Sequence, residues 1–135
     1  MANLFNFTLL SLDGKKYTDE IEALYFECPE KGLTGILANH LDYKTLLFVS
    51  VIYTIKDGVK KYFAISGGSL SFIKNKATII ADTFETADEI DEEKVRKAKE
   101  EAEAILNSEI DKKSADYANA KFNLQKASNR MRLLK

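Results

Sequence analysis

Every glycine in this chain, and its one proline, lies before Thr86; residues 87–135 contain neither. The same boundary divides two compositions. Before it, β-branched and aromatic residues come in short runs separated by turn signals; after it, Ala, Glu, Lys and Leu dominate. The first pattern suits sheet and the second suits helix. The chain is therefore expected to form an N-terminal antiparallel β-sandwich over residues 1–86 and a C-terminal antiparallel two-helix hairpin over residues 87–135. At 135 residues it is the size of one ordinary domain, so a sheet core with a small helical appendage fits and two large independent cores do not.

Within the first part, Leu4–Leu10 alternates around Phe5, Phe7 and Leu9, and Asp13-Gly14 marks a turn. Leu24, Phe26 and Cys28 alternate with Ala23, Tyr25 and Glu27, the pattern of a half-buried strand ended by Pro29. Phe48–Ile55 and Val59–Ser66 flank Lys56-Asp57-Gly58, a hairpin signal. Ser69–Lys74 and Ala77–Ala81 flank Asn75-Lys76, a second one. Gly67-Gly68 falls between two of these runs and reads as a bulge or a close backbone approach.

In the second part, Asp91 is placed to cap a helix, with Glu92 and Glu93 in its first turn and Ile90 able to meet Val95 as a hydrophobic staple. Val95, Ala98, Ala102 and Ile105 then recur at threes and fours. After a break around Asn107–Asp111, so do Tyr117, Ala120, Leu124, Ala127, Met131 and Leu134. Two such stripes predict paired helices. An alanine-rich seam buries little apolar area, at about 25 cal/mol per Å². Such a hairpin is a candidate for detachment.

The search for chemistry returns little. There is no phosphate-cradling glycine motif. His40 is the only histidine, which excludes a multi-histidine metal site, and no acid–base pair of carboxylates stands out. A Cys28–His40 nucleophile pair is conceivable, but Cys28 sits at an apolar strand position that suits a buried thiol. A single cysteine forms no internal disulfide. The formal net charge of −1 gives no electrostatic case for nucleic acid. The N-terminal residues do not read as a signal peptide. No run approaches the roughly 20 apolar residues of a membrane span, so membrane association is expected to come through a partner. One charge feature stands out. After Asp116 no acid follows, while Lys121, Lys126, Arg130, Arg132 and Lys135 do. Five unopposed cations exceed what a helix C-terminus needs, which suggests docking onto an acidic protein surface.

Four segments, in order, go further. Gly32-Leu33-Thr34-Gly35-Ile36-Leu37-Ala38-Asn39-His40 resembles the G-x-x-G-I-L-x-x-H segment of ATP synthase epsilon subunits. Phe63–Leu70 resembles the strand around that family's paired glycines, Ala77–Asp82 its sandwich-closing strand, and Glu89-Ile90-Asp91 the start of its hairpin. The resemblance implies a non-catalytic central-stalk subunit of a rotary enzyme that couples proton or sodium movement to ATP synthesis. Such a subunit is peripheral, on the cytoplasmic face of the cell membrane. Its expected partners are the gamma subunit, the ring of c subunits, and the alpha and beta subunits of the catalytic head.

The resemblance also implies roles for particular residues. A loop carrying Gly32, Leu33, Thr34, Gly35 and His40 would face the rotor ring; many relatives carry an acid within the G-x-x-G, where Leu33 and Thr34 are neutral. The hairpin would regulate, lying against the sandwich or extending into the head to obstruct hydrolysis, with Lys121, Lys126, Arg130 and Arg132 meeting acidic beta-subunit residues. Some relatives bind ATP in the folded hairpin through an I/L-D-x-x-R-A motif. Here Glu85, Ile90, Asp91 and Arg130 match, but Lys94 replaces the motif's arginine, Val95 its alanine, and Asn119 and Lys126 replace arginines. Lysine lacks arginine's planar fork and asparagine lacks charge, which argues against tight ATP binding. The alternative is a stand-alone sandwich module whose helices dimerise.

Overall fold

The computed structural model describes residues 3–28, 32–108 and 111–134. Pro29, Lys135 and residues 109–110 of the expected inter-helix break lie outside the described residues. The strands are β1 (Phe5–Ser11), β2 (Lys16–Ile21), β3 (Ala23–Cys28), β4 (Gly32–Leu37), β5 (Tyr43–Lys56), β6 (Val59–Ile73), β7 (Lys76–Ala81) and β8 (Phe84–Glu85). A 3-10 turn at Ala87–Glu89 leads to helices α1 (Glu92–Leu106) and α2 (Ala115–Leu134). The sheet order is β2-β1-β7-β6-β5-β3-β4, with β8 pairing β6. Among the described residues the pairings are antiparallel except β1 with β7, which is parallel.

β5 and β6 are longer than the expected runs. They pair from Lys56↔Val59 back to Tyr43↔Phe72. At about 3.3 Å per residue they exceed 40 Å, too long for one small sheet layer. They bend instead and serve both layers. The far half of β6 pairs β7 from Gly68 to Ile73, while its near half pairs β8 at Ala64 and Ile65 and β5 turns to β3 at Tyr53–Ile55. Gly67-Gly68 thus lies inside one strand, not between two. It marks a close backbone approach: a Cβ on Gly68 would stand 2.2 Å from the Ile80 carbonyl oxygen and 2.8 Å from the Ala81 Cα. The β5–β6 turn is Asp57-Gly58, both at positive φ, as a two-residue hairpin requires. The β6–β7 turn has the same form at Lys74-Asn75, one residue earlier than expected, because Lys76 already pairs with Ile73.

The expected alternation holds where it was read. Phe5, Phe7 and Leu9 of β1 are buried, as are Leu24, Phe26 and Cys28 of β3. They meet Ile21, Ile36, Ile52, Phe63, Ile65, Leu70, Phe72 and Ile79 in one core between the layers. Phe5 and Phe72 make an edge-to-face contact at 5.4 Å, a geometry favoured by the ring quadrupole.

The helices form as their caps dictate. The Asp91 carboxylate accepts hydrogen bonds from the Glu93 and Lys94 backbone N–H groups at 3.1 and 3.2 Å. Ile90, Val95 and Ala127 are buried together, with Ala98, Met131, Leu133 and Leu134 packed around them. This cluster is separate from the sandwich core. Ile105, at the far end of the seam, stays exposed.

Candidate functional site

The helices are folded against the sandwich. α1 packs chiefly on α2, and α2 packs on β5 and β6. Polar contacts join α2 to the sheet. Asn129 is 4% exposed, and its side-chain amide donates to the Ser50 carbonyl at 2.8 Å and the Ile65 carbonyl at 3.3 Å. Ser50 and Ile65 are directly opposed on β5 and β6, so one amide spans both strands. On either side of it stands an ion pair. Arg130 Nε lies 2.5 Å from Glu85 Oε1 at the end of β8, and Arg132 lies 3.9 Å from Glu27 of β3. The cations of α2 are therefore not all unopposed, as their isolation in sequence suggested; their counterions come from distant strands. Lys121 is exposed, and the Lys126 ammonium sits 4.9 Å from the Phe122 ring centre.

The junction ahead of α1 is fastened as well. Lys15 on the β1–β2 connection donates to the Phe84 carbonyl at 3.0 Å, covers the Phe84 ring and pairs with Glu89. The Glu89 carboxylate also accepts from the backbone N–H and hydroxyl of Thr86, both at 3.1 Å. The Lys15 ammonium, helped by the Thr86 donors, holds the Glu89 carboxyl below its ordinary value of 4.5.

Of the expected ATP-contacting residues, Glu85 and Arg130 are brought together, while Lys94 is exposed on α1. Glu85 is engaged with Arg130, Ile90 lies in the hairpin core, and Asp91 caps α1. The groove between the helices is lined by Glu101, Asp116, Asn119, Asn123, Lys126 and Arg130 among others, so Arg130 shares it with Asn119 and Lys126, the two positions where nucleotide-binding relatives are expected to carry arginine. Its two acids, Glu101 and Asp116, are matched in number by two cations, Lys126 and Arg130.

The Gly32–His40 segment, expected as a loop, is strand as far as Leu37, because β4 pairs with β3 from Cys28↔Gly32 to Ala23↔Leu37. Gly35 makes room for a ring: a Cβ there would lie 2.6 Å from Tyr25, which stacks on Tyr53 at 4.9 Å. Leu33, Leu37 and Leu41 are 63%, 59% and 84% exposed along this rim. His40 is exposed, with Nδ1 2.7 Å from the Leu41 carbonyl oxygen, whereas Cys28 is buried beside Thr34 and Tyr43. No described contact joins Cys28 to His40 as a nucleophile pair.

Comparison with known proteins agrees with this architecture. A family described as "ATP synthase, Delta/Epsilon chain, beta-sandwich domain" matches residues 4–87, and one described as "ATP synthase, Delta/Epsilon chain, long alpha-helix domain" matches residues 88–135. The chain belongs to the ATP synthase delta/epsilon family. Proteins named ATP synthase epsilon chain are 35% identical over 123 residues in Bacillus velezensis, covering 91% of each chain, and 36% identical over 105 residues in Herpetosiphon aurantiacus, covering 78% of this chain and 76% of that one. A chain of the Euglena gracilis mitochondrial ATP synthase, solved as OSCP/F1/c-ring, superposes with a TM-score of 0.80 at 25% identity over 96% of this chain and 80% of that one. As a delta/epsilon-family chain this is a non-catalytic subunit of the rotary ATP synthase. No helix among the described residues is long and apolar enough to cross a membrane.

Sequence reasoning missed Asn129. It lies off the three-and-four stripe that α2 turns to α1. No apolar stripe in the sequence marked that side: Leu133, one turn further on, is half-buried and packs on the Ile90–Val95–Ala127 cluster.

Proposed function

We propose that this chain works in the central stalk as a coupling platform with a releasable brake. The sandwich, residues 1–86, binds the gamma subunit and seats on the rotor ring through the rim carrying Gly32, Leu33, Thr34, Gly35 and His40, on the cytoplasmic side of the membrane. The hairpin, residues 87–135, lies docked when the enzyme runs freely and extends toward the alpha and beta subunits to obstruct hydrolysis. The observation that carries this reading is the separation of the two cores: among the described residues the hairpin shares no continuous apolar core with the sandwich, and the described polar contacts of α2 with it are one amide and two ion pairs. An element held by few apolar contacts opens at a fraction of the cost of global unfolding.

Two arginines serve both positions. Docked, Arg130 and Arg132 face Glu85 and Glu27. Extended, they and Lys121 and Lys126 meet acids of the head, so sandwich and head compete for the same cations. Self-association through the hairpin is disfavoured, because the alanine-bearing faces of α1 and α2 are spent on each other. The test is ATP hydrolysis by the assembled complex carrying the full chain or a version ending at Asp88. Faster hydrolysis with the shortened chain is expected, and equal rates would remove the brake while leaving the platform.

A further inference from the structure

We infer that Asn129 is a salt-independent latch for the docked hairpin, a positioning residue separate from the two arginine pairs; this rests on the reading that the hairpin detaches. The geometry makes the case. Both amide hydrogens of Asn129 are used, one on each of two opposed strands, and the residue is almost wholly buried. The amide orientation follows from its neighbours, since flipping it would turn the oxygen toward two carbonyl oxygens. Exposed ion pairs weaken as salt screens them, whereas a buried neutral hydrogen bond does not. Arg132 is far more exposed than Asn129 and its pairing is long. The latch therefore holds where salt screens the Arg132 pair, alongside the shorter and less exposed Arg130–Glu85 pair.

The latch is also incomplete. Asn129 Oδ1 is buried with no hydrogen-bond partner among the described residues. A buried acceptor left unpaired penalises the state that buries it. The docked state thus holds two good bonds against one orphaned atom, a balance suited to an element that must let go. The site of attachment adds to this. Ser50 and Ile65 lie close to the place where the β5–β6 ladder is interrupted, between Leu47↔Gly68 and Val49↔Ser66, at the bend that carries these strands from one layer to the other.

The test uses the full chain with Cys28→Val and spin labels at Lys76→Cys on the sandwich and Lys112→Cys at the hairpin tip, both exposed positions. Distances are measured in an Arg130→Ala background in about 0.5 M salt, where the Debye length is only a few ångströms and the exposed Arg132–Glu27 pair is screened. The parent shows one dominant, narrow docked distance. Asn129→Asp keeps the size but sets an acceptor against two carbonyls, and the ratio of docked to undocked molecules falls about tenfold or more, equivalent to about 1.4 kcal/mol. Asn129→Ala falls in the same direction and decides the matter if the aspartate variant does not fold. Ser128→Ala, next along the helix, leaves the ratio unchanged. Ratios within about twofold of the parent in both Asn129 variants overturn the latch, as does an equal fall in Ser128→Ala. The readout also separates this from the brake. Loss of docking in Asn129→Ala with no change in hydrolysis sinks the brake and keeps the latch. An unmoved ratio, alongside faster hydrolysis by the chain ending at Asp88, sinks the latch and keeps the brake.

Discussion

Gly68→Ala is the sharpest test of how β6 and β7 come together. The added Cβ would stand 2.2 Å from the Ile80 carbonyl oxygen, 2.8 Å from the Ala81 Cα and 3.0 Å from the Ile80 carbonyl carbon. All three atoms are backbone, so no side chain can rotate away. Relief requires β7 to move outward by roughly an ångström, since unstrained carbon–oxygen contacts sit near 3.3 Å or more. That shift opens the pairs Gly68↔Ala81 and Ser69↔Ile80 and loosens Ile79 and Ala81, both fully buried. Overpacking of this kind costs about 3 kcal/mol. For a domain of this size that corresponds to roughly 12–24 °C in melting temperature. Gly58→Ala is the control. Its φ is +76°, but a Cβ there meets nothing within 4 Å, so only left-handed strain is added, about 1–2 kcal/mol. Urea unfolding followed by far-ultraviolet circular dichroism measures both. If Gly68→Ala costs no more than Gly58→Ala, the close approach is not a constraint and the account of the paired glycines fails.

Further outcomes follow from the hairpin and its junction. Glu85→Gln frees Arg130 from the sandwich and should deepen inhibition of hydrolysis, whereas Arg130→Ala should relieve it; the pair is worth about 0.5–1 kcal/mol, a two- to fivefold change in rate, and a shift of both variants in the same direction would refute the shared-cation scheme. Arg130→Ala with Arg132→Ala should also flatten the salt dependence of inhibition; an unchanged salt profile would count against the assigned head contact. The Glu89 carboxyl titrates below 4.5 when folded, so its contribution is present above that value and is lost as pH falls through the lower folded value. The melting-temperature gap between the native chain and Lys15→Met should accordingly be small at pH 7, because the pair is partly exposed, and should narrow as pH falls below 4.5, leaving the part due to the Phe84 carbonyl and ring; a gap that does not narrow would show that the Glu89 pair contributes nothing. Calorimetry with the isolated chain should show no saturable ATP binding up to millimolar concentration, because Lys94, Asn119 and Lys126 lack arginine's planar, bidentate fork; saturation below that range would reverse the reading.

Local order was legible because it depends on neighbours in sequence. Alternation placed Phe5, Phe7 and Leu9 inside, Asp57-Gly58 turned the hairpin, and Asp91 with Ile90 and Val95 began α1 as read. What escaped was pairing across distance. Arg130 and Arg132 looked isolated because Glu85 and Glu27 lie on strands far back along the chain. Asn129 drew no reading because nothing local says that a second face of α2 meets a sheet. The parallel pairing of β1 with β7 likewise follows from how the layers close, not from either strand's composition. The resemblance carried the family, while the physical pattern alone stopped at a sandwich with two helices.

The uninterrupted course of β5 and β6 through both layers has a mechanical consequence. In a sandwich whose layers are joined only by side-chain packing and loops, twisting one face against the other is resisted by dispersion contacts that slip. Here two peptide backbones run through the bend side by side, hydrogen-bonded on both sides of it. A twist delivered to one face reaches the other as tension in covalent chain, so the body turns as a single stiff piece and wastes little of the rotation in shear.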